Sequence, residues 1–239
     1  MNASNQEESE IDIHEEIRKF DLDFEKLQDC IYHELIELNS ALSIYRRIHQ
    51  LRSSYLQEMN LSPSFYQVYL HVLRNYIIIS MSRLFFDTDS KSFTFIYYLK
   101  QVQRNLEFFT VSKMQIRRGL QVDYWLLREA KDLEASQLND HRKKLNKIKA
   151  ELSDIKHERD KRHAHLDRET LDASLQRVDL NQNDALDRLL GLACRAFNTI
   201  SSCHSGKTFV FTPMDINDIQ NTLWRVRAYL RSEQPDLIE

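Results

Sequence analysis

Backbone breakers are nearly absent from this chain: three glycines and three prolines serve 239 residues. A β-rich fold of this length would need turn residues about every 8–12 positions. A chain with so few can run through long helices without a stop, and an all-α fold is predicted. The apolar share of 42% is enough to fill a core, which excludes the intrinsically disordered class.

Met1 to Glu10 is polar and reads as a disordered acidic tail, ahead of a single helical domain over residues 11–239. Leu27, Ile31, Leu35, Leu38, Leu42, Tyr45 and Ile48 recur at helical spacing, so one or two helices are expected between Ile11 and Tyr55. Ser62-Pro63 places a capping hydroxyl before a first-turn proline, and a helix is expected from there to about Phe86. A shorter helix is predicted from Phe93 to about Asn105. A long charged helix follows, from Gln115 or Gln121 to near His163, with Gly119 as its weak point. Asn181-Gln182-Asn183-Asp184 caps a further helix ending at Ser205-Gly206-Lys207, and Thr212-Pro213 opens the last one. The whole reads as a helical bundle with additional C-terminal helices.

Within the long charged stretch, Leu138, Leu145 and Leu152 recur every seven residues, with Ile148 and Ile155 between them. The next two positions of that seam are Arg159 and Arg162. Two guanidinium groups on a buried or partner-facing stripe are costly unless paired or bound to an anion. Charge is concentrated in the same place. Residues 141–168 hold ten Lys or Arg against five acids, whereas residues 1–29 hold ten acids against three bases. An acidic protein with one basic segment points to a local anionic ligand.

Cys30, Cys194 and Cys203 are odd in number and form no Cys-x-x-Cys pair, which fits a reducing, cytoplasmic setting. The acidic N-terminus is unlike a signal peptide. The most apolar run, Tyr76 to Met81, is far too short for a membrane span. His157, His163 and His165 cluster without His-Glu-x-x-His spacing and among many cations, so no metal site is predicted. No glycine-rich phosphate loop is present, and no cofactor is expected.

Three patches go further. Arg159-Asp160-Lys161 is followed, two residues on, by Ala164-His165. Ser82-Arg83-Leu84-Phe85-Phe86-Asp87 precedes Ser92 and a helix. A late helix carries Asn198 after an Asn/Asp cap. Together they resemble the HEPN superfamily (higher eukaryotes and prokaryotes nucleotide-binding), most closely its AbiU-type branch associated with abortive phage infection. The second patch has one residue more before its acid than that branch's Arg-Leu-x-Asp segment. The resemblance implies a HEPN-like bundle and a metal-independent endoribonuclease, acting as a toxin or phage-defence effector. By the same resemblance Arg159 binds phosphate, His165 acts as acid or base, and Asp160 orients them. Lys161, Arg162 and Arg168 extend the RNA contact. A homodimer with its two motifs in one cleft, and a neutralising antitoxin protein, are the implied partners.

The chemistry suits these residue types. In attack by the ribose 2′-hydroxyl the phosphate gathers charge that a permanently protonated arginine can hold, and a histidine titrates near operating pH. Geometry leaves one choice open. Six residues along an ideal helix leave Arg159 and His165 roughly 120° apart, whereas His163 lies nearly above Arg159. A straight helix favours His163 and the family pattern His165. The alternative function is a non-catalytic HEPN module that binds RNA, a nucleotide or a partner protein.

Overall fold

The computed structural model describes residues 3–87, 92–121, 124–161, 178–213 and 216–233, with side chains from residue 13 onward, residue 126 excepted. The fold is all-α: ten α-helices and no strand occur among the described residues. They are α1 (Ala3–Leu51), α2 (Leu56–Met59), α3 (Pro63–Met81), α4 (Phe95–Arg104), α5 (Val111–Arg118), α6 (Trp125–Glu129), α7 (Ala135–Glu151), α8 (Ser153–Arg159), α9 (Asp184–Ser205) and α10 (Asp218–Glu233). A π-helical turn, Ser82–Phe86, prolongs α3, and a 3-10 turn, Leu106–Phe108, follows α4.

The region from Ile11 to Tyr55 forms one helix, ending at Leu51. α3 opens on Pro63 as expected, though the Ser62 hydroxyl makes no capping bond. The long charged helix is corrected. Its stretch is divided among α5, α6, α7 and α8. Gly119 ends α5 in the left-handed region at φ 59°, and the N–H of Leu120 reaches back to the carbonyl of Gln115 at 3.1 Å. That is a Schellman closure, which only a residue without a Cβ adopts freely. Glu134 and Gln137 form a reciprocal capping box that starts α7 anew.

The chain divides into two compact units, neither of them a continuous stretch. The first comprises residues 1–35, 83–152 and 187–211. Its core is aromatic. Tyr98 of α4 stacks between Phe24 of α1 and Phe197 of α9, at centroid distances of 5.9 and 5.7 Å. Burial of side chains this size is worth roughly 1.5–3 kcal/mol each. The Asn198 side chain grips Phe209 twice, accepting from its N–H at 2.8 Å and donating to its carbonyl at 2.9 Å. This satisfies the backbone of the extended piece after α9 without a strand partner.

The second unit comprises residues 36–82, 153–186 and 212–239. Ile48, Leu51, Tyr55, Met59 and Leu223 form one buried cluster there, covered by Tyr66, Tyr69, Leu70, Leu73 and Ile219. α2 packs on α10, and α3 packs on α8. The Arg227 guanidinium of α10 lies 4.1 Å from the Tyr55 ring centroid and donates to the Glu58 carboxylate. The helix that carries Arg159 belongs to this unit.

Candidate functional site

The seam that leads toward Arg159 is buried: Leu138, Leu145, Ile148, Leu152 and Ile155 all lie in the core. At Leu152 the helix breaks, with φ −112° and ψ 21°, and its N–H turns back to the Lys149 carbonyl at 3.1 Å. α8 restarts in a new register. Ile155 faces inward, and three residues on the inward position is Glu158 rather than Arg159. Glu158 is 3% exposed, whereas the Arg159 side chain is 20% exposed. The charge taken into the interior is therefore an acid, not the arginine expected from the seam.

Buried Glu158 is fully engaged. Nη2 of Arg74, on the inner face of α3, donates to both of its carboxylate oxygens at 2.8 and 2.9 Å. The Val178 N–H donates to the same carboxylate at 2.9 Å, and Arg74 donates to the Val178 carbonyl at 2.9 Å. Two residues on, the Leu180 carbonyl accepts from Nε of Arg46 on α1 at 2.8 Å, and the Leu180 side chain is buried. Residues 178–180 are thus fastened to α1, α3 and α8. A charge this deep needs such a set of partners, because desolvation removes the water that would otherwise serve it.

Arg159 closes α8 and meets Asp160 at once. Nε and Nη2 approach Oδ1 of Asp160 at 2.8 and 2.7 Å. The carboxylate holds the guanidinium at the helix end while leaving part of it in solvent. Asp160 also lines a shallow cavity of about 500 Å³ with Ser153, Asp154, Lys156 and His157. Asp160 and Lys161 form the last described turn of this segment. Arg162, His163, His165 and Arg168 lie outside the described residues, so of the expected site only Arg159, Asp160 and Lys161 have a place.

A second cavity of the same unit, about 660 Å³, is lined by Tyr45, His49, Arg52, Tyr66, His71 and Arg74 among others. Burial, and then the Arg52 guanidinium, hold His49 below the ordinary histidine range, so it is neutral at neutral pH. Its ring tilts against Tyr45 at 4.6 Å. His71 pairs with Asn75 at 3.0 Å. Sequence reasoning gave no site role to Arg74, Glu158, His49 or Arg52. A signal existed for Arg74: a lone cation before the apolar run of α3, at the helical position facing inward. Arg83 donates to both oxygens of the Glu34 carboxylate at 2.5 Å.

Among the described residues no three His, Cys, Asp or Glu side chains converge in a way that would hold a metal ion. Nor is any helix long and apolar enough to cross a membrane. No curated protein and no solved structure matches the chain. The family model that does match is the AbiU2 model of the HEPN group, over residues 21–223, which spans both units and the whole described motif, and the chain belongs to that HEPN family.

Proposed function

We propose that this protein is a metal-independent endoribonuclease that serves as a toxin or phage-defence effector. The observation that carries the reading is the end of α8. A partly exposed arginine is held by the carboxylate beside it, at the start of the stretch that resembles the family motif. In this reading Arg159 binds the scissile phosphate and Asp160 fixes its orientation. His165, or His163 with it, moves the proton from the 2′-hydroxyl or to the leaving 5′-oxygen. Lys161, Arg162 and Arg168 hold the flanking phosphates. The product is a 2′,3′-cyclic phosphate or its hydrolysis product. The protein works as a homodimer whose two Arg159 ends face one cleft, and a neutralising protein restrains it.

The test is incubation of the purified protein with labelled RNA in EDTA. Cleavage of RNA but not of DNA is expected, since DNA lacks the attacking hydroxyl. His165→Ala should abolish cleavage with the fold retained. Arg159→Ala should lower both RNA affinity and turnover, because the phosphate is charged before and during reaction. Loss of activity in EDTA, or equal cutting of DNA, would overturn the mechanism. RNA binding without cleavage would instead establish the non-catalytic module, in which the Arg159–Asp160 pair only docks the strand.

A further inference from the structure

We propose that the cavity formed by the end of α1, α2 and the start of α3 binds a small organic phosphate, with its phosphate against Arg52 and Arg74 and its carbon body against Leu56, Met59 and Leu70. The site is separate from the Arg159 motif and does not depend on the ribonuclease reading. Its described wall comes from residues 45–74, all within the second unit. Its volume of about 660 Å³ falls among ligand pockets, which run from about 300 to 1,000 Å³. The chain makes the hollow by its own path: α1 stops at Leu51, α2 supplies a single turn, and Pro63 opens α3. Ile48 and Met59 belong to the buried cluster of this unit and Leu70 packs against it, so the apolar part of the wall is fixed by the core.

The rest of the wall is cationic. It carries Arg52, Arg74, His49 and His71, and among its described residues there is no carboxylate. The acids nearby have their own donors. Glu58 of α2 accepts from Arg227, Asp179 accepts from the Asn181 N–H, and Glu158 accepts from Arg74. All the Arg74 bonds leave from Nη2, so Nε and Nη1 take no part in them while the guanidinium is held in place. Arg52 is exposed, and no carboxylate among the described residues pairs with it. His49 registers the field of the cavity. Burial first, and then Arg52, hold it below its ordinary value; Arg74 adds to this and Asp179 opposes it. A positive field that resists an added proton favours a bound anion. A phosphate suits two guanidinium groups, each with several donors. Pro63 and Tyr66 place the first turn of α3 on the same wall, and the positive end of a helix dipole favours the same charge. A bare inorganic anion would leave the apolar wall uncovered, whereas a carbon body gains about 25 cal/mol for each Å² it covers.

The experiment titrates phenyl phosphate, inorganic phosphate and phenol into the full chain by calorimetry. Phenyl phosphate should bind about tenfold more tightly than either of the others, since it alone uses both parts of the wall. Arg52→Ala should weaken phenyl phosphate by about tenfold or more, with the thermal midpoint unchanged because the side chain is exposed. Arg159→Ala should leave that affinity within about twofold, which separates the cavity from the motif. A 5′-phosphorylated RNA strand and its 5′-hydroxyl counterpart then compete with phenyl phosphate in Arg159→Ala. Displacement by the phosphorylated strand alone makes a strand end the source of the phosphate, and displacement by neither makes it a free small molecule; both results support the site. Displacement by both strands alike would overturn it, because backbone phosphates and not a single phosphate end would then be read. Phenyl phosphate that fails to bind native protein, or binds no better than phenol, would overturn it too. So would native affinity in Arg52→Ala. None of these results bears on RNA cleavage, so the ribonuclease reading stands or falls by its own test.

Discussion

At the scale of single residues, the decisive feature is which charge goes inside. Arg74→Ala strands the Glu158 carboxylate in the interior, and a loss of about 3–5 kcal/mol in unfolding free energy is expected by urea titration. Asn198→Ala removes both of its bonds to Phe209. A loss of about 1–2 kcal/mol should follow, because a half-buried N–H and a half-buried carbonyl lose their partner together. Asn198→Asp should cost no less, since its carboxylate faces the Phe209 carbonyl without a donor. The sequence marked Arg159, Asp160 and Asn198, because motif spacing is a property of the chain itself. It concealed Glu158 and Arg74. Their importance exists only after α8 lies on α3, and a glutamate in a basic segment looks like any solvated acid.

Among the elements, the buried stripe of α7 was legible in its seven-residue repeat, and the short helix expected from Phe93 to about Asn105 is α4. The breaks were not. Gly119 stood out as a weak point, but nothing in residues 149–155 announces that α7 ends at Glu151. That stop reflects packing, which overrides good helix formers such as Lys, Glu and Leu. The join of α1, α5 and α9 is likewise tertiary. Asp21 of α1 accepts from Arg117 of α5 at 2.7 Å and meets Nε2 of His204, near the end of α9, at 3.0 Å. His204 lies among Phe20, Phe24 and Phe109, and burial holds it below its ordinary value of 6.5. Burial works against the Asp21 carboxylate, but the bonds from His204 and Arg117 hold it below its ordinary 3.8. Both shifts act in one direction. Below about pH 6.5 the unfolded chain takes up a proton that buried His204 resists, so stability falls. It falls again when acid protonates Asp21, whose contribution is present only above its folded-state value. Urea midpoints should therefore drop between pH 7.5 and pH 5. His49 and His141 are lowered as well, so His204→Gln should flatten that drop in part. An unchanged slope in His204→Gln would remove His204 as its source.

For the whole molecule, the chain passes repeatedly between its two units, and α1 contributes residues to both. Each unit is assembled from three separate stretches of chain, which makes truncation to either unit a poor route to a folded fragment. On the face of α3 opposite Arg74, Phe65, Val68, Val72 and Ile79 form an exposed apolar stripe without charge. If the dimer pairs through its Arg159 ends, Val68→Glu/Val72→Glu should leave the dimer mass unchanged in light scattering. A monomer would move the interface to α3. The clasp around Glu158 also has a temporal consequence. Its partners stand 84 and 104 residues apart, so much of the chain must be ordered before they can meet. We expect contacts of that kind to form after the folding barrier has been crossed. In stopped-flow measurements Arg74→Ala should leave the refolding rate within about twofold and shift nearly all of its effect into faster unfolding. The bond set around Glu158 would then also be the lock that determines how long the native state lasts once reached.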